Sequence, residues 1–287
     1  MIAAPDEQSG RPGTRRSADR RQTASRLPSE GVRILHRQRT GTDEAPTQSL
    51  GVEVSGPIDT DVPVVLLHGM ASDHTTWRSF ARSLRRRGRS VVSVDMRGHG
   101  VSSREKRYGL DDFSGDVRFV LDELDLDTVD LAGHSLGAHT ALRVAMDQPD
   151  RVRRLVLEEV PPMPRDKADL DEEIAVDATL GERLRGLGQL IIDPRPFLRY
   201  DRSVTDQVNA EFAVAAPQWW SALEDVRART LVISGGRRSF LPPHHLRTLS
   251  ERLPDGSFEI IDAGHSVHRD QRARFAGLAG DFLSARV

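Results

Sequence analysis

A serine hydroxyl attacks a carbonyl only when a base takes its proton, and one serine in this sequence stands in a setting made for that exchange. Ser135 is the centre of Gly133-His134-Ser135-Leu136-Gly137, between the apolar stretch TVDLA and the helix-forming stretch AHTALRVAM. In that context a Gly-x-Ser-x-Gly turn puts the serine at the tip of a tight strand-to-helix bend, with small neighbours and a helix N-terminus behind it. The pentapeptide alone also fits a helix-capping serine flanked by turn glycines. The strand before it and the helix after it favour the nucleophile.

Histidine is the side chain whose proton affinity suits the base, and the sequence has ten. His265, in DAGHSVHRD, follows the last expected strand and precedes the last expected helix. That places it at the carboxyl edge of a parallel sheet together with Ser135, where open α/β sheets bind ligands. His268 is expected at the start of the final helix, and His99, His139, His244 and His245 have no comparable setting. Charge developing on a carbonyl oxygen needs two aimed backbone N–H groups. Leu136, after the nucleophile, supplies one; Met70, which follows His68-Gly69 at the end of an earlier strand, supplies the other.

The elements that must position these groups read as alternating strands and helices. Two short extended stretches, GVRILHRQ and LGVEVSG, form an expected antiparallel opening pair. Buried strands are predicted over residues 62–69, 90–95, 128–134 and 153–159, with helices over 76–87, 110–124 and 138–148 between them. Such alternation implies βαβ units and a mainly parallel sheet. It breaks over residues 161–225, where proline clusters, acidic and apolar helical stretches and the pair Trp219 and Trp220 suggest a helical insertion of 65 residues. Strands return over 230–236 and 257–264, with helices over 243–252 and 270–283.

A chain of 287 residues with 37% hydrophobic and 29% charged residues and a net charge of −2 fits one globular α/β domain with an insertion. No excess of basic charge calls for a nucleic acid or a membrane surface. There is no cysteine, which removes disulfides, thiolate metal sites and cysteine nucleophiles and agrees with a cytoplasmic setting. No apolar run approaches the roughly 20 residues of a membrane span. Residues 1–28, rich in Arg, Ser, Gly and Pro without apolar periodicity, read as a disordered tail rather than a secretory signal.

The motifs VVLLHGM, VDMRGHGVSS, LAGHSLGA and DAGHSVHRD, in that order, resemble the α/β-hydrolase superfamily from about residue 31 onward. The resemblance implies an α/β-hydrolase core over 29–160 and 226–287 with a helical cap over 161–225. It also makes Asp95, Arg97, Gly98 and His99 braces of the loop after a strand. Most of the superfamily carries the catalytic acid after the strand that follows the cap, in a pattern like G-x-x-D-x-x-x-P. Here that loop reads GGRRSFLPP, with Arg237, Arg238 and Ser239 where an aspartate belongs.

Either the triad is lost or the carboxylate comes from elsewhere. A minority resembling this chain, haloalkane dehalogenases with a glutamate there and lactone hydrolases of the Ser-Glu-His type, takes it from the loop after the sixth strand. Counting from RRLVLEE, Glu159 matches that position. Adjacent extended residues point opposite ways, so Glu158 is the alternative, facing packing or solvent if Glu159 faces the site. Asp262 is short and local to His265, and a Glu159 that only begins the cap is the plainer reading.

The expected function is hydrolysis of a carboxylic ester or lactone through an acyl-enzyme on Ser135, with no cofactor and no metal. A serine at this position argues against the aspartate-based dehalogenase and epoxide hydrolase chemistries. Amide, thioester and carbon–carbon bonds are lesser options. Trp219 and Trp220 suggest an apolar small-molecule substrate, or serve to anchor the cap to the core. The alternatives are perhydrolase or cofactor-free haloperoxidase activity, and a non-catalytic ligand-binding protein on a degenerate hydrolase body.

Overall fold

The computed structural model describes residues 30–38, 48–57, 62–172 and 195–285. The stretch read as a tail, residues 1–28, lies outside them, as do residues 173–194 of the insertion.

The chain opens with β1 (Glu30–Arg37) and β2 (Gln48–Ser55), then β3 (Val64–Leu67), α1 (Arg78–Arg86), β4 (Val91–Val94), α2 (Leu110–Glu123), β5 (Val129–His134), α3 (Leu136–Asp147) and β6 (Val152–Glu158). In the described parts of the insertion are α4 (Lys167–Asp171), α5 (Arg195–Leu198), α6 (Ser203–Phe212) and α7 (Pro217–Ser221). Then come β7 (Arg229–Ser234), α8 (Pro243–Arg252), β8 (Gly256–Ile260), α9 (Val267–Asp270) and α10 (Arg272–Ser284). Among the described residues of the stretch 161–225 there is no strand.

The strands make one sheet in the order β1-β2-β4-β3-β5-β6-β7-β8. β1 and β2 are antiparallel to each other, β2 is antiparallel to β4, and every later pairing is parallel. The unbroken apolar runs are explained by burial on both faces. Val65 and Leu67 pack with Phe113, Val117, Leu142 and Leu246 on one side, under α2, α3 and α8. Val64 and Leu66 pack with Trp77, Phe80, Leu84 and Phe275 on the other, under α1 and α10. The chain leaves β3 toward β4 on one side and returns to β5 on the other, so the crevice at the carboxyl ends of β3 and β5 is a topological switch point.

The loop after β4 is braced as the resemblance implies. Asp95 accepts the backbone N–H of His74 at 2.7 Å and of Val101 at 2.9 Å, and the His74 ring at 2.9 Å. Arg97 grips Asp116 of α2 with two bonds of 2.6 Å. Gly98 adopts φ +75°, with the Tyr108 and Val204 side chains packed against its Cα.

The start of α3 is seated directly on β3. A Cβ on Gly137 would overlap the carbonyl oxygens of Leu67 and His68, which are backbone and cannot move aside cheaply. Gly137→Ala is expected to cost about 3 kcal/mol of stability, read as a lower urea midpoint at unchanged m-value. An unchanged midpoint would contradict this seating.

Candidate active site

One residue separates β5 from α3, and it must turn the chain from extended to helical. Ser135 does so at φ +52°, ψ −118°, a conformation that non-glycine residues rarely hold. Its N–H donates to the Glu158 carbonyl at 2.9 Å and its own carbonyl accepts from His139 N–H at 3.0 Å, which fix the bend. Gly133 has the Gly137 backbone against it and has no room for a side chain. Ser135 is left half-buried at the carboxyl end of β5.

His265 lies between β8 and α9 and is brought to the same edge. Its carbonyl accepts a bond of 2.7 Å from Nε2 of His134, the residue before the serine. Burial holds the His134 ring far below the usual histidine range, so it donates as a neutral imidazole. The Phe240 ring packs on His265 at 4.2 Å between centroids. Nδ1 of His265 faces Glu159 Oε2 at 3.0 Å.

Glu159 has no solvent exposure, so its charge must be met by donors. Oε1 accepts the Gly235 N–H, and Oε2 accepts the Ser239 hydroxyl as well as His265. The Ser239 Oγ in turn accepts the Leu241 N–H at 3.1 Å. Glu159 is not extended, as the sequence reading assumed; it sits at φ +52°, its N–H still bonded to the Ile233 carbonyl at 2.9 Å.

Glu158 turns the other way into the buried interior, where it meets a second histidine. His268 Nδ1 lies 2.9 and 2.8 Å from the two Glu158 oxygens, and the His268 backbone N–H donates to Oε1 at 2.9 Å. Thr76 bonds the far nitrogen at 2.8 Å, and the ring stacks on Trp77 at 4.2 Å. Burial pushes the Glu158 carboxyl up and the His268 ring far down.

The loop after β3 reaches the serine. A Cβ on Gly69 would stand 3.3 Å from the Ser135 Cβ. His68 Nε2 accepts the Met96 N–H at 3.1 Å, which leaves Nδ1–H to donate to the Gly69 carbonyl at 2.7 Å. With that carbonyl held by the ring, the trans peptide turns the Met70 N–H the opposite way. The Leu136 N–H, first in its helix, has no partner within it. Ala71, at φ +56°, donates to His99 Nε2 at 3.3 Å.

Trp219 is buried and stacks on His139 at 5.3 Å, one helical turn beyond Ser135, while the Trp220 indole N–H donates to the Met163 carbonyl at 2.7 Å. The Trp219 stacking ties residues 161–225 to α3, while the Trp220 bond joins two parts of that stretch to each other. Arg238 faces outward and pairs with Asp262 at 3.2 Å, so Asp262 is engaged away from His265. Sequence reasoning missed Ser239, Gly235 and the Glu158–His268 pair. Ser239 was in view, inside the stretch noted only for lacking an aspartate.

Burial lowers His99 and His139 to about 3. Below the ordinary value of 6.5 the unfolded chain therefore takes up protons at these positions that the folded chain refuses, and stability falls as pH drops from about 6.5 toward 3. His68, His134 and His268 shift the same way. His74 opposes them: burial works against its cation, but the Asp95 hydrogen bond and charge outweigh that and raise it. Lowering the pH from about 7 to about 5 is expected to cost about 2 kcal/mol for each of His99 and His139. A urea midpoint equal or higher at the lower pH would contradict this.

Residues 62–189 match the family described as alpha/beta hydrolase fold. The chain is 30% identical over 245 residues to the 2-hydroxymuconate semialdehyde hydrolase of Pseudomonas sp. strain CF600, covering 77% of this chain and 87% of that protein. It is 29% identical over 246 residues to the 2-hydroxy-6-oxo-2,4-heptadienoate hydrolase of Pseudomonas putida, covering 78% and 89%. In fold it is similar to the enol-lactonase of Burkholderia xenovorans LB400, with a TM-score of 0.68 at 21% identity over 83% of this chain and 97% of that one. Sheet order, serine turn and relatives matched over most of their length agree: the chain is a serine hydrolase of the α/β-hydrolase fold family.

Proposed function

We propose that the chain hydrolyses a carboxylic ester or lactone through an acyl-enzyme on Ser135, with His265 as general base and Glu159 as the acid that orients it. The observation that carries this reading is the contact of His265 Nδ1 with a wholly buried Glu159 carboxylate. With Nδ1–H held by the carboxylate, Nε2 is the nitrogen left to take the serine proton, and the carboxylate stabilises the imidazolium that forms. Attack of Oγ on the carbonyl carbon puts negative charge on the carbonyl oxygen, which the N–H groups of Met70 and Leu136 accept. Collapse expels the alcohol, protonated by His265; water activated by the same histidine then releases the acid.

In this reading residues 161–225 form a cap over the pocket. Trp219, stacked one turn from the nucleophile, gives that pocket an apolar wall with Trp220 behind it, suited to a small apolar acyl group. A second reading comes from the two Pseudomonas relatives. The compounds in their names are carbonyl-bearing dienoic acids without an ester, so their hydrolysis adds water across a carbon–carbon bond beside a carbonyl.

A fluorophosphonate probe is expected to label the folded protein and to fail on Ser135→Ala. Glu159→Gln is expected to lower kcat on a p-nitrophenyl ester by about 10³- to 10⁴-fold. Absence of label on Ser135 would refute the enzyme reading and favour a ligand-binding role. Unchanged turnover in Glu159→Gln would refute the acid assignment. Turnover of a 6-oxo-dienoate without turnover of any ester would select the second reading.

A further inference from the structure

Away from the serine, the end of α4 in the insertion meets the start of α8 in the core. Glu172, the residue that caps α4, has its N–H bonded to the Ala168 carbonyl at 3.0 Å. Its two carboxylate oxygens stand 3.2 Å from Nε2 of His244 and 3.2 Å from Nε2 of His245. The two rings lie 4.1 Å apart between centroids, and the three ligand atoms all fall within 4.8 Å of one another. None of the three takes part in the proposed acyl-transfer chemistry.

The simplest account would be a carboxylate accepting two imidazole N–H bonds. The geometry of His245 does not fit it. Its side chain is 3% exposed, its Nε2 is buried, and despite the 3.2 Å spacing that nitrogen makes no hydrogen bond, because the oxygen lies off the axis of the ring nitrogen. A buried ring nitrogen without a partner is costly unless something else sits on its axis. Two ligands bound about 2.0–2.1 Å from one tetrahedral zinc ion stand about 3.3 Å apart. The nitrogen axis then aims at the ion, about 35° off the line to the other ligand atom. Spacing at ligand-to-ligand distance with the ring nitrogen not aimed at the oxygen fits three groups arranged around a shared ion.

We propose that Glu172, His244 and His245 bind a divalent cation of the zinc type, with water completing the coordination. Two imidazoles and one carboxylate suit borderline metals rather than calcium or magnesium, which favour all-oxygen sites. The ion joins Glu172 of the insertion to the helix that follows Ser239 and Phe240, the residues against Glu159 and His265. It is a structural clasp between the insertion and the loop behind the catalytic histidine.

The test is calorimetric titration of the untagged full chain with Zn²⁺, in the wild type and in Glu172→Gln, His244→Ala and His245→Ala. Glu172 and His244 are exposed, at 46% and 60%, so their variants keep the fold even if His245→Ala does not. The expected result is one Zn²⁺ per chain, bound at least about tenfold more weakly in each variant, with a zinc-dependent rise in Tm that Glu172→Gln loses. No stoichiometric uptake, or uptake equal in the wild type and in Glu172→Gln and His244→Ala, would overturn the site. Uptake lost only on replacing His265 would place the ion at the catalytic histidine and overturn it as well.

Discussion

A carboxylate withdrawn from water persists as a charge only if donors surround it, and the geometry around Glu159 follows from meeting that demand. Gly235 donates from the end of β7, Ser239 from the turn after it, and His265 from the loop after β8. Two segments, residues 235–239 and the loop at 265, are thereby drawn to the end of β6. Gly235 reaches it because it has no side chain; a Cβ there would overlap the Gly264 carbonyl beside His265. Glu159 itself turns to a positive φ while keeping its sheet bond to Ile233, so the carboxylate swings toward His265 without loosening β6. Backbone strain of this kind survives only where several contacts overdetermine it.

The adjacent glutamates divide the work between two histidines three residues apart. Glu158 takes His268 by both ring and backbone N–H, and Thr76 and Trp77 close around the far side of that ring. This second pair is sealed from water and pins the first turn of α9. His265 is then held from two directions, by Glu159 at its ring and by His134 at its carbonyl. The residues on each side of the proposed nucleophile are both placed by this arrangement: His134 fixes the loop that carries His265, and Leu136 begins the helix α3, whose first N–H groups have no partner within it.

What could be read from the sequence was what depends on neighbours along the chain. The serine turn is local, so GHSLG between a strand and a helix was legible, and so was the buried parallel sheet from its apolar runs. His265 was legible because its place after the last strand fixes its edge of the sheet. Glu159 could be named only by counting strands and by resemblance. Its donors were not legible: Ser239 is 80 residues away and Gly235 is 76, and no local pattern records such a meeting. His268 was read as a helix start, which it is, but the sequence did not show that the same position binds Glu158. The tryptophans were legible as a substrate wall or as an anchor to the core, but that the anchor is Trp219 stacked on His139 was not, since it depends on how residues 161–225 lie on α3.

In the proposed triad the imidazole proton of His265 rests between its ring and Glu159. Proton NMR of protein carrying nitrogen-15 histidine observes that proton directly. A strongly low-field imidazole N–H assigned to His265 is expected in the wild type and in Ser135→Ala, and its loss is expected in Glu159→Ala. The same resonance, unshifted after removal of the Glu159 carboxylate, would contradict it.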